Sequence, residues 1–109
     1  AWTVETAIRE GKRLEGTLEY YEDPVRGKEA MAEVAKAVNI PLATNMCTVS
    51  FADLPESVRL GSIQILLSDH HIWGGLLNSV KVARICQTWG LGLSMHSNSH
   101  VGISLLAMT

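Results

Sequence analysis

Four residues able to hold a metal ion or move a proton, Glu22, Asn45, Asp69 and His96, recur along this 109-residue chain at intervals of 23, 24 and 27 residues. The carboxylate of Glu22 and the amide oxygen of Asn45 suit Mg2+, a hard cation that keeps several waters and takes substrate oxygens as further ligands. The imidazole of His96 transfers protons near neutral pH. Asp69, one interval earlier, can accept a hydrogen bond from one of its ring nitrogens and so fix the tautomer. Such a dyad facing a metal-held carboxylate substrate points to proton abstraction next to that carboxylate, with the metal offsetting the enediolate charge that develops.

That chemistry requires the four side chains to meet, and the elements between them show how they can. Thr3 and Gly16 bracket a helix over residues 3–14, and residues 17–23 alternate as a strand with Leu18, Tyr20 and Glu22 on one face, ended by Pro24. A helix over 28–38 carries the stripe Met31, Val34, Ala35 and Val38, followed by a strand over 40–46. Phe51, Leu54 and Val58 mark a third helix that stops at Gly61. The apolar run 63–67 reads as a parallel strand covered on both faces. Residues 76–89 form a helix with Leu76, Val80, Ala83 and Cys86 on one face and Gly90 at its end. A strand over 91–96 follows, and Ser97, Asn98 and Ser99 can cap a last helix over 101–108.

The fold class is therefore α/β: about four consecutive β/α units with parallel strands, a partial (β/α)8 TIM barrel. The intervals are close to the roughly 30 residues per unit of a barrel of about 250 residues, in which the C-terminal strand ends converge on one mouth. Each of the four chemical residues ends a predicted strand. Taken singly, Glu22 would cap the next helix, Asn45 would be turn chemistry and Asp69 could equally be a cap; the Glu22-Asp23-Pro24 setting, the repeated strand-end register and the presence of His96, respectively, favour a site.

Composition excludes other classes. Apolar residues make up 47%, charged residues 18%, and the net charge of -2 comes from interspersed signs, so neither a nucleic-acid stripe nor a membrane-binding basic face is expected. No run nears the roughly 18 apolar residues of a membrane span, and no signal-peptide pattern follows Ala1, so the chain reads as cytoplasmic. Cys47 and Cys86 lack metal or redox spacing and read as buried thiols. His70 and His71 read as structural or solvent-facing. His96 and His100 have the spacing of a helical metal pair, but His96 lies in a strand, which argues against zinc there. Trp2, Trp73 and Trp89, with Met31, Met46, Met95 and Met108, read as packing residues.

Four motifs in order, Tyr21-Glu22-Asp23-Pro24, Ala43-Thr44-Asn45-Met46, Ser68-Asp69-His70-His71-Ile72-Trp73 and His96-Ser97-Asn98-Ser99-His100, resemble those of the glucarate dehydratase family of the enolase superfamily. The resemblance covers nearly the whole chain. It implies Mg2+-dependent dehydration of an acid sugar, glucarate or a related aldarate, to a keto-deoxy acid, with Glu22 and Asn45 as metal ligands and His96 and Asp69 catalytic. It also implies substrate contacts from Ser97 and Asn98. His70 stands where the family usually has Pro, and Ser99 where it has Asn, which loosens the substrate assignment.

The family's first metal ligand precedes an Ala-Trp pair, and here Ala1-Trp2 open the chain. The lysine base, the N-terminal capping domain and the early and last barrel strands are likewise expected outside it. One reading is therefore the C-terminal barrel portion of a full-length acid-sugar dehydratase. The alternative is a non-catalytic, truncated or remnant half-barrel lacking the lysine base and first ligand. The sequence leaves homo-oligomer formation open.

Overall fold

The computed structural model describes all 109 residues, Ala1–Thr109. Thr3 caps the first helix, α1 (Val4–Leu14): its hydroxyl accepts the Thr6 N–H at 3.3 Å, and Glu5 in the first turn with Lys12 and Arg13 in the last match the helix dipole. The chain then turns at Gly16, and the N–H groups of Thr17 and Leu18 both bond back to the Leu14 carbonyl. That turn consumes residues expected to start a strand, so β1 is only Tyr21–Glu22, a correction to the expected 17–23. The inward side chain is Tyr21 rather than Leu18 or Tyr20; its hydroxyl donates to the Ala7 carbonyl at 3.3 Å and ties β1 to α1.

The remaining elements alternate as expected: α2 (Lys28–Ala37), β2 (Leu42–Thr44), α3 (Leu54–Leu60), β3 (Ile65–Ser68), α4 (Leu76–Trp89), β4 (Gly92–Met95) and a short α5 (Ile103–Leu106). The strands form one parallel sheet in the order β1-β2-β3-β4, with Glu22 opposite Ala43, Thr44 opposite Leu66 and Ser68 opposite Met95. Consecutive strands are joined through a helix each time, which is the β/α repeat of a partial barrel. The strand edges β1 and β4 are open. No helix is long and apolar enough to cross a membrane.

Burial explains the composition of the strands. Leu42, Ala43 and Thr44 of β2 are all buried, as are Leu66, Leu67 and Ser68 of β3, because the two central strands are covered on both faces. Met31, Val34 and Val38 pack from the α2 side with Leu54 of α3 and with Val82 and Cys86 of α4 in one cluster. Gly61 and Gly90 stop α3 and α4 in the left-handed region, at φ 67° and 70°, where a side chain would be strained. Both cysteines are free thiols, Cys86 buried and Cys47 half-buried.

The expected face of α4 needs correcting. Val82 and Cys86 are buried, whereas Leu76 and Val80 are exposed by half and line, with Leu93 and Met95, an open apolar cavity of about 420 Å³. α4 therefore carries two apolar stripes, one covered by the sheet and one uncovered. Trp73 is a packing residue, buried edge-on to Phe51 at 5.3 Å, and so is Met31. Trp2, Trp89, Met46 and Met95 are exposed: Trp2 precedes α1, Trp89 lies at the end of α4, Met46 follows β2 and Met95 ends an edge strand.

Candidate active site at the strand ends

Because all four strands run parallel, their C-terminal ends lie at one end of the sheet, and each expected site residue stands there. Glu22 is the last residue of β1, while Asn45, Asp69 and His96 each follow directly on β2, β3 and β4. The structure joins them in two pairs. Asn45 Nδ2 donates to Glu22 Oε1 at 3.3 Å, and His96 Nδ1 lies 3.2 Å from Asp69 Oδ2. The backbone sets the second pair, since the His96 N–H donates to the Ser68 carbonyl at 2.8 Å and continues the β3–β4 ladder to the residue beside Asp69.

Asp69 is almost fully buried, at 1% exposure, while His96 is partly open. Burial pushes the Asp69 carboxyl up, but the His71 N–H donated to Oδ1 at 2.8 Å, the His96 ring, and the charges of His100 and His71 together outweigh it. The net result is a value below the usual carboxylate range. Asp69 is thus held ionised beside His96, which places the ring proton on Nδ1 and turns Nε2 into the available base.

Asp23, which the sequence reading passed over, holds the other pair in place. Its Oδ1 accepts the Thr44 hydroxyl at 2.5 Å and its Oδ2 accepts the Asn45 N–H at 2.9 Å. Its backbone sits at φ 38°, a conformation that Asp tolerates better than most residues. The signal was the residue's place directly after Glu22, where a strand-end carboxylate can reach the neighbouring strand. Ser97 and Asn98 are exposed in the loop after β4, next to His96, and their side chains bond to nothing in the protein.

Glu22 is exposed and Asn45 half-buried, so both open to solvent at the rim. Turning the Asn45 amide would set its oxygen beside a Glu22 carboxylate oxygen, an arrangement that a cation between the two would stabilise. Two adjacent hard oxygen donors fit Mg2+ better than a thiophilic or imidazole-preferring ion.

The whole chain, residues 1–109, matches the family described as enolase C-terminal domain-like. It is 54% identical over its full length to a probable glucarate dehydratase of Streptomyces coelicolor, of which it covers 25%. Among solved structures, an enolase from Gibberella zeae complexed with magnesium, formate and sulfate superposes with a TM-score of 0.96 at 59% identity, over 99% of this chain and 25% of that one. An enolase from Pseudomonas fluorescens with bound magnesium, potassium and tartrate gives 0.92 at 53% identity, over 98% of this chain and 25% of that one. The chain thus spans about a quarter of the length of these relatives.

Proposed function

The chain belongs to the enolase C-terminal domain-like family, and we propose that it is part of the C-terminal barrel domain of a longer acid-sugar dehydratase acting on glucarate or a related aldarate. The observation that carries this reading is the pairing of Glu22 with Asn45 and of Asp69 with His96 at one end of a single parallel sheet. The family and the likeness to a probable glucarate dehydratase support an enzyme of this kind; substrate and reaction are the proposal.

Glu22 and Asn45 would hold Mg2+, whose positive charge, when bound, favours the electron-rich form of the substrate carboxylate. Asp69 keeps His96 in the tautomer whose Nε2 lone pair is free. His96 Nε2 takes the proton from the carbon next to the carboxylate, and the bonding pair moves toward the carboxylate. The adjacent carbon–hydroxyl bond then breaks, and protonated His96 returns its proton to the departing hydroxyl as water leaves. The enol so formed tautomerises to the keto-deoxy acid. Ser97 and Asn98, exposed and unbonded beside His96, orient the substrate hydroxyls.

The test is formation of a 2-keto acid from a panel of aldarates by the longer protein with Mg2+. Glucarate or a close stereoisomer turned over at a Mg2+-dependent rate supports the reading, and no turnover of any member sinks it. A second statement concerns these 109 residues alone, about a quarter of the length of the probable glucarate dehydratase: they yield no product, and measurable dehydration by them would refute that.

A further inference from the structure

Beside the dyad, and outside the machinery just described, three imidazoles crowd together. His70 and His71 follow Asp69 in the loop after β3, and His100 approaches from the loop after β4. The rings of His70 and His100 stack at 4.7 Å, and His71 stands edge-on to both, at 4.8 and 4.3 Å. One ligand nitrogen from each lies within 4.8 Å of the others. A single hydroxyl, Ser104 Oγ, stands among them, 2.5 Å from His70 Nε2, 2.8 Å from His71 Nε2 and 3.4 Å from His100 Nδ1. His70 and His100 are more than nine-tenths buried, and one nitrogen of each, His70 Nδ1 and His100 Nε2, has no hydrogen-bond partner.

We propose that His70, His71 and His100 form a binding site for a borderline transition-metal dication, Zn2+ being the best fit, separate from the Glu22–Asn45 pair. Neutral imidazole suits Zn2+, Ni2+ or Cu2+ and not Mg2+, which prefers oxygen, so the two sites select different metals. Three ring nitrogens around Zn2+ at about 2.0–2.1 Å stand closer together than the spacing seen here, so the cluster must close slightly. Exposed His71 can supply that movement without disturbing the core. Ser104 Oγ or a water takes the fourth position of a tetrahedral site.

The surroundings add an outer partner of the right kind. His100 Nε2 lies 3.4 Å from Asp69 Oδ1, too poorly aligned to count as a hydrogen bond yet close enough to become one. A metal on His100 Nδ1 makes the opposite N–H a stronger donor and draws it onto that carboxylate. The result is the carboxylate–histidine–metal relay that orients ligating histidines in zinc sites. The ion would also tie the end of the chain, through Ser104 of α5, to the loop after β3.

The experiment is calorimetric titration of the protein with Zn2+ in excess Mg2+, alongside H71A and H100A, with Co2+ absorption as a second readout. The expected result is one Zn2+ per chain, binding at least about tenfold weaker in both variants, and tetrahedral Co2+ bands without thiolate charge-transfer absorption. H71A removes an exposed side chain, so its fold is retained even if H100A unfolds. Zn2+ binding equally well to wild type and H71A, absent from wild type, or accompanied by thiolate absorption from Cys47 overturns the proposal.

Discussion

Replacing Asp69 with Asn leaves shape nearly unchanged and removes the charge on which two rings depend. The carboxylate receives the His71 N–H at 2.8 Å and His96 Nδ1 at 3.2 Å, with His100 Nε2 at 3.4 Å, in a site only 1% exposed. An amide can keep the His71 bond only by turning its oxygen to that side. Its NH2 then faces His96 Nδ1, which must become an acceptor and move the ring proton to Nε2. Hydrogen bonds to charged groups contribute about 1.5–3 kcal/mol each, so one such bond lost or inverted predicts destabilisation of about 2–3 kcal/mol. For a domain of this size that lowers the melting temperature by roughly 10–15 °C. Proton abstraction by His96 Nε2 falls by about 10²–10⁴-fold, since the base now carries a proton where its lone pair should be. Thermal melting by circular dichroism measures the first effect and ¹⁵N NMR of the His96 ring the tautomer. A D69N protein whose His96 remains protonated at Nδ1, with an unchanged melting temperature, refutes the reasoning.

Gly11→Ala should cost about 1–3 kcal/mol, because a Cβ there would stand 2.8 Å from Val38 Cγ1 and 3.2 Å from Tyr21 Cε1, forcing α1 off α2 and β1; denaturant unfolding measures it. Leu66→Ala, in a fully buried position of a central strand, should cost about 2–5 kcal/mol in the same assay. Lys28 Nζ, 2.8 Å from Asp53 Oδ1, holds the Asp53 carboxyl down from 3.8 to about 2. A depressed folded-state value stabilises the fold above the unfolded value and loses that contribution as pH falls from about 4 to about 2. One pKa unit corresponds to about 1.4 kcal/mol, and solvent screening of this partly open pair reduces the contribution to about 1 kcal/mol. K28M should therefore be less stable than wild type at pH 7 and equally stable near pH 2 in urea titrations.

Element order and the positions of the chemical residues were legible because both are local. Thr3 and Gly90 mark helix ends by capping chemistry, and the short apolar stretch around Leu66 reads as a strand buried on both faces. The length of β1 was not legible. Residues 17–20 favour strand by composition, but the turn after Gly16 claims the N–H groups of Thr17 and Leu18, and only the position of Ala7 decides that Tyr21 points inward. The two stripes of α4 were likewise indistinguishable, since Leu76, Val80 and Ala83 match Val82 and Cys86 in polarity and differ only in what the sheet covers. Asp23 and the three-histidine cluster depend on contacts across neighbouring loops, between Asp23 and Asn45 and between His70 and His100, that sequence spacing does not reveal.

The chemistry proposed for this chain depends most on His96 acting as a base oriented by Asp69. The direct measurement is exchange of the substrate α-proton in deuterated water, followed by proton NMR, for the longer Mg2+-loaded protein and its H96N variant. Exchange promoted by His96 in the wild type should disappear in H96N while Mg2+ affinity is unchanged. An H96N protein exchanging that proton at the wild-type rate would contradict it.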